Sequence, residues 1–286
     1  MKIRENSLPA DWYPRNSAEI KHFLSGFSAP TPCYAAIAPH AGWFYSGKIA
    51  AGAVSSLNKD VETVVVIGGH LPAGYPPLFA LEDAVSTPFG NMAVDSEFLA
   101  VVMKETGGTE DRYKDNTVEV LLPMAHFYIA SARLLWMRLP SEMLSFETGK
   151  IIASVAKKMG RKVAVLGSAD LTHYGPNYGF TPQGEGAKAL RWMEEVNDRR
   201  FIEAVESGNP AAVLERAEKD NSCCSAGAVL GAMGFADAMG LGTAGLLEYG
   251  TSAGSAITGS TDGTITEKSF VGYASFVFNK IDGGKA

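Results

Sequence analysis

Five side chains in this sequence have the chemistry to act together: His40, His70, Asp170, His173 and Cys224. Neutral imidazole and thiolate are ligands for borderline and soft transition metals. Two histidines and a cysteine from separate loops would make a three-donor site with open positions, as a catalytic metal requires. An Asp–His pair beside it would move protons, the carboxylate orienting the ring. Each residue also has a plainer reading. A histidine after a strand is commonly a hydrogen-bonded loop residue. Asp170 can cap the turn that follows it, and Cys224 can be a small buried hydrophobe. His126, in an apolar helix, reads as a core or surface histidine, and His22 is assigned nothing.

Three apolar runs lead to these residues. Thr63-Val64-Val65-Val66-Ile67 reads as a strand buried on both faces. Gly68 and Gly69 stop it and let the backbone approach something closely, and His70 follows. Residues 33–39 form a strand ending at His40, and residues 162–169 one ending at Asp170, with His173 next. In open α/β sheets, ligands collect outside the carboxyl ends of the strands. Arg133–Leu139 is a further core strand. The pattern predicts a helix near residues 17–27 capped by Ser17, and an aromatic, Gly-rich turn at 40–47 followed by a helix at 48–57. It predicts a strand at 78–84 and a helix from an Asp95 cap to about Glu105. Asn116 and Glu119 resemble a capping box opening a helix toward Ala130. Further helices are expected at 142–159, 186–206, 209–217 and 223–239, with a loop at 172–182. Thr243–Thr251 and Ser269–Asn279 read as closing strands, and the latter could pair at a sheet edge.

The alternation of strands and helices predicts an α/β fold: one three-layer α/β/α domain, residues 1–286, around a central mixed and largely buried sheet. Residues 1–32 read as a wrapping arm and 252–264 as a mobile loop. The 286 residues are 46% hydrophobic, enough for one large core. A net charge of -6 without a basic run gives nucleic-acid binding no support. No apolar run nears the roughly 20 residues of a membrane span, and no signal segment opens the chain, so a cytoplasmic protein is expected. Three cysteines, two of them adjacent, argue against a disulfide framework.

At Ala38-Pro39-His40-Ala41-Gly42-Trp43, Ile67-Gly68-Gly69-His70-Leu71-Pro72, Ser168-Ala169-Asp170-Leu171-Thr172-His173-Tyr174-Gly175 and Cys224-Ser225-Ala226-Gly227-Ala228, the chain resembles the Memo family. In bacteria and archaea this family is called AmmeMemoRadiSam system protein B. The resemblance covers roughly residues 33–278. It departs at Asn116 and Leu122, where the family carries histidines, and at Gly69, where relatives often carry Ser or His. It implies a fold similar to class III extradiol ring-cleaving dioxygenases, which are non-haem iron enzymes. It places metal ligands on His40, His70 and Cys224, with Cys223 the one-residue alternative, and a proton-carrying pair on Asp170 and His173. Iron(II) is the metal it favours, with copper or zinc also suited to the donors. Trp43, Phe44, Tyr45 and Tyr174 would wall the pocket, and Glu119 would cap its helix or support the site. The expected function is dioxygenase-like redox chemistry on a small molecule. The alternatives are a non-catalytic peptide-binding module and a zinc-assisted hydrolase. A homo-oligomer is compatible with all three.

Overall fold

The computed structural model describes residues 1–28, 31–253 and 268–279. Its strands are β1 (Ile3–Arg4), β2 (Ala35–Ala38), β3 (Thr63–Leu71), β4 (Leu78–Phe79), β5 (Ala84–Thr87), β6 (Gly90–Ala93), β7 (Thr109–Glu110), β8 (Arg133–Pro140), β9 (Val163–Ser168), β10 (His173–Tyr174), β11 (Ala244–Thr251) and β12 (Phe270–Phe278). Its helices are α1 (Ser17–Leu24), α2 (Trp43–Ser55), α3 (Ser96–Thr106), α4 (Asn116–Glu119), α5 (Leu122–Tyr128), α6 (Leu144–Met159), α7 (Ala187–Trp192), α8 (Arg199–Glu206), α9 (Pro210–Asp220) and α10 (Ala226–Met239).

Among the described residues, nine strands form one mixed sheet in the order β10-β12-β2-β9-β3-β8-β4-β7, with β11 on β12. At its centre β2, β9, β3 and β8 run parallel. Every residue of β2 and β9 is buried, which is why these runs read as unbroken apolar segments. Successive strand residues face opposite sides. A methyl placed on Gly68 would stand 2.8 Å from Val118 of α4, and one on Gly69 would stand 2.9 Å from the Ser225 Cα, just before α10. Helices therefore cover both faces, α4 one and α10 the other. The second sheet, β1-β5-β6, ties the amino-terminal residues to the body.

Several local expectations shift, each for a physical reason. α1 is capped by Asn16, not Ser17. α2 begins at Trp43, because the Trp12 carbonyl accepts the Trp43 N–H (2.7 Å) and Gly42 supplies the turn before it. The aromatic cluster is thus the first helical turn. Asp115 rather than Asn116 caps α4. The expected long helix breaks after Glu119: Pro123 has no N–H for the Glu119 carbonyl, and its ring crowds that carbonyl. Of the strand expected at 78–84 only β4, Leu78–Phe79, forms in the large sheet; β5 starts at Ala84 and runs to Thr87 in the second sheet. A π-helical segment, Met193–Asp198, interrupts the 187–206 helix. α10 starts at Ala226, so both neighbouring cysteines lie on the loop ahead of it. β12 is no edge, since β2 pairs one side and β11 the other. Residues 254–264 of the expected mobile loop lie outside the described residues. No described helix is long and apolar enough to cross a membrane.

Candidate metal centre

The sheet register builds the site. Ala38 of β2 pairs with Ser168 of β9. Two residues further on, His40 and Asp170 meet, and the His40 N–H donates to Asp170 Oδ1 at 2.6 Å. β3 lies on the other side of β9 and delivers His70 to the same edge. The β3–β8 register shifts between Gly68 and Leu71, and His70 adopts φ +55°, a left-handed conformation seldom taken by residues other than glycine. From the opposite face, the Cys224 N–H donates to the Asp170 carbonyl at 3.2 Å. The two imidazoles stand edge to face with ring centres 5.0 Å apart. Cys224 Sγ lies 3.3 Å from His40 Nε2. One donor atom from each of His40, His70 and Cys224 falls within 4.8 Å of the others. An ion about 2.0 Å from nitrogen and 2.3 Å from sulfur sets those donors about 3.3–3.5 Å apart at near-tetrahedral angles. The donor types and the Nε2–Sγ spacing therefore fit a metal.

The electrostatics agree with that fit. Burial, helped by the neighbouring His70, pushes the His40 imidazole down to about 3, so it is neutral and able to ligate at pH 7. Burial, with Asp170 and Cys223 adding to it, raises the Cys224 thiol well above its usual range. A bound cation would supply the charge that a thiolate lacks there. Burial lifts Asp170 to about 6, against the pull of His173 and the His40 N–H. Burial lowers His173, with Asp170 opposing. Burial opposes ionisation of Asp115 too, yet hydrogen bonds from His70 and Thr117 and the Arg138 charge hold its carboxyl well below the usual range.

A cleft of about 750 Å³ opens over the two imidazoles. Asp170, His173 and Tyr45 line it, with Trp12, Asn116, Tyr178, Tyr273 and Lys268. Cys224 does not line it. The other expected wall residues point elsewhere. Trp43 is buried against Phe23 and donates Nε1–H to the Val120 carbonyl at 3.0 Å. Tyr174 is fully buried and stacks on Phe270. Glu119 holds the amino-terminal arm, accepting from Ser7 N, Leu8 N and the Tyr13 hydroxyl. The His173 ring packs edge to face on Tyr178, 4.9 Å between centres. Among the described residues no hydrogen bond joins Asp170 to His173; the carboxylate holds the His40 loop instead.

Sequence reasoning missed the groups behind the imidazoles. His70 Nδ1 meets Asp115 Oδ2 at 3.0 Å, and His40 Nδ1 meets Ser168 Oγ at 2.9 Å. Arg138, 4% exposed inside β8, backs Asp115. A lone arginine within the apolar run Leu134–Leu139 was a readable signal, because a buried charge needs a partner.

A model of Memo-like proteins matches residues 4–277. A MEMO1 family protein of Thermococcus onnurineus is 30% identical over 299 aligned positions, covering 97% of this chain and 100% of that one. A MEMO1 family protein of Pyrobaculum arsenaticum is 28% identical over 303, covering 98% and 100%. An uncharacterized protein of Escherichia coli K12 with a solved structure aligns at a TM-score of 0.48 and 11% identity, over 84% of this chain and 98% of that one. With the match running almost end to end and through all four motifs that build the site, this chain belongs to the Memo-like protein family.

Proposed function

We propose that this chain is a metal-dependent redox enzyme acting on a small molecule held in the cleft. One observation carries the reading: His40, His70 and Cys224 bring their donors within 4.8 Å of one another beneath a cleft of about 750 Å³. Iron(II), the metal favoured here over copper or zinc, would supply redox chemistry and open coordination positions. The chain's own residues do the rest. Asp170 holds the His40 loop through its main-chain N–H. His173, kept neutral by burial, accepts a proton from the bound substrate and returns it later. Tyr178 fixes that ring from the side, and Tyr45 and Tyr273 help exclude water around it. A cytoplasmic setting suits the three free cysteines.

A second reading rests on the rim. Tyr45, 47% exposed, lines the cleft and packs edge to face on Phe44, which is 73% exposed outside it. Aromatic groups so placed suit a docked peptide.

The test is the metal content of protein purified without oxygen, for the parent and for Cys224→Ser. About one iron per chain in the parent, lost in the variant, with oxygen uptake on some catechol-like compound, supports the redox reading. Retained zinc without oxygen uptake favours a hydrolase. No metal in either protein, even after adding iron or copper, moves the assignment to peptide binding.

A further inference from the structure

The groups behind both imidazoles converge on a single helix turn. Asp115 caps α4: its Oδ1 accepts the Thr117 N–H at 2.9 Å and also the Thr117 hydroxyl. Its Oδ2 faces His70 Nδ1 at 3.0 Å and Arg138 Nη2 at 3.4 Å. A carboxylate beside a guanidinium only accepts, so the hydrogen between Asp115 and His70 belongs to Nδ1. Two residues further on, the Thr117 carbonyl accepts the Ser168 hydroxyl. That hydrogen is then committed, and the Ser168 oxygen, 2.9 Å from His40 Nδ1, is left as an acceptor. The hydrogen between them again belongs to Nδ1. When such a ring carries a single hydrogen, the lone pair is left on Nε2, and His40 Nε2 is the atom 3.3 Å from Cys224 Sγ.

Arg138 secures the His70 half. Its Nε donates to the Gly69 carbonyl at 3.0 Å, and its Nη1 lies 3.5 Å from Asp111 Oδ1. It therefore grips both the peptide entering His70 and the carboxylate behind the ring. The left-handed backbone at His70 needs such a hold, because surrounding contacts must over-determine a disfavoured conformation.

We propose that Asp115, Arg138 and Ser168 are positioning residues that lock His70 and His40 as Nδ1–H tautomers and so present two Nε2 lone pairs toward Cys224. In water an imidazole takes either tautomer, and the other one would turn an N–H toward the ion. The lock's purpose rests on the metal reading above, but the tautomers themselves are a property of the metal-free chain.

The experiment is nitrogen–proton correlation of ¹⁵N-histidine-labelled, metal-free protein at pH 8, with the five histidines assigned by single substitution. His40 and His70 should both be Nδ1–H. Asp115→Ala should release His70 alone, and Ser168→Ala should release His40 alone. Arg138→Met should disturb His70, and Arg138→Lys should partly restore it. Zinc affinity should fall about 10–100-fold in the alanine variants, as when outer partners of metal-binding histidines are removed. A parent spectrum with either ring as Nε2–H overturns the proposal and needs no variant. Variants that disturb both rings equally, or neither, overturn it as well, since a merely structural role would not separate them. Tautomers as stated in a parent that binds no zinc would sink the metal reading and leave the lock standing.

Discussion

Replacing Gly69 with alanine tests whether a close approach sets the position of the thiol. Gly69 is not among the positive-φ glycines, so a methyl group meets no backbone objection there. It meets Ser225 instead: the new carbon would stand 2.5 Å from Oγ and 2.9 Å from Cα. Ordinary contact begins near 3.4 Å, so the Ser225 main chain must retreat by about half an ångström or more. Cys224 is bonded to Ser225 and moves with it. The Sγ–Nε2 spacing of 3.3 Å would then open beyond the roughly 3.3–3.5 Å that one ion imposes. Overpacking of this kind costs about 1–3 kcal/mol. For a chain of 286 residues that corresponds to a fall in Tm of roughly 2–5 °C. Zinc affinity should fall about tenfold or more, the scale on which disturbed supporting contacts act. Thermal unfolding and zinc titration of Gly69→Ala read both effects. Gly245→Ala is the control, because a methyl there meets nothing within 4 Å. If Gly69→Ala keeps the parent Tm and the parent affinity, the reasoning from close approach to thiol position is refuted.

Two further perturbations probe the surroundings of the site. Glu119→Gln weakens the charge-assisted bonds to Ser7 and Leu8 by about 1–3 kcal/mol, so those two amides should exchange with solvent about tenfold faster; unchanged protection would show that Glu119 does not hold the arm. Asp198 carries a pH dependence: burial pushes its carboxyl up to about 7, against hydrogen bonds from Thr172 and Tyr249. The folded value lies above the unfolded value of about 3.9, so the folded chain keeps a proton that the unfolded chain has lost. The stability this confers is complete below about pH 4 and lost as pH rises through about 7, at most about 4 kcal/mol in all. Urea unfolding at pH 5 and pH 8 should therefore differ more in the parent than in Asp198→Asn, and equal pH responses in the two proteins would sink the assignment.

The apolar, β-branched runs identified β2, β3, β8 and β9 from the sequence, because a strand buried on both faces leaves a local signature. The glycines before His70 were legible as a close approach for the same local reason, and the structure shows what approaches: Val118 on one face and Ser225 on the other. The residue types of His40, His70 and Cys224 marked them as candidate metal donors. Only the tertiary structure decided which groups meet. His40 and Cys224 are 184 positions apart, and His40 and Asp170 are 130 apart, so no window along the chain records their contact. The choice of Cys224 over Cys223 turns on a loop held against Asp170. The pocket wall was misread at Trp43 and Tyr174 because a shift of one helical turn, or of one residue along a strand, sends a side chain to another face. Composition and periodicity determine that a residue is buried. The register between distant strands determines what it is buried against, and in this protein that register places two imidazoles and a thiol together.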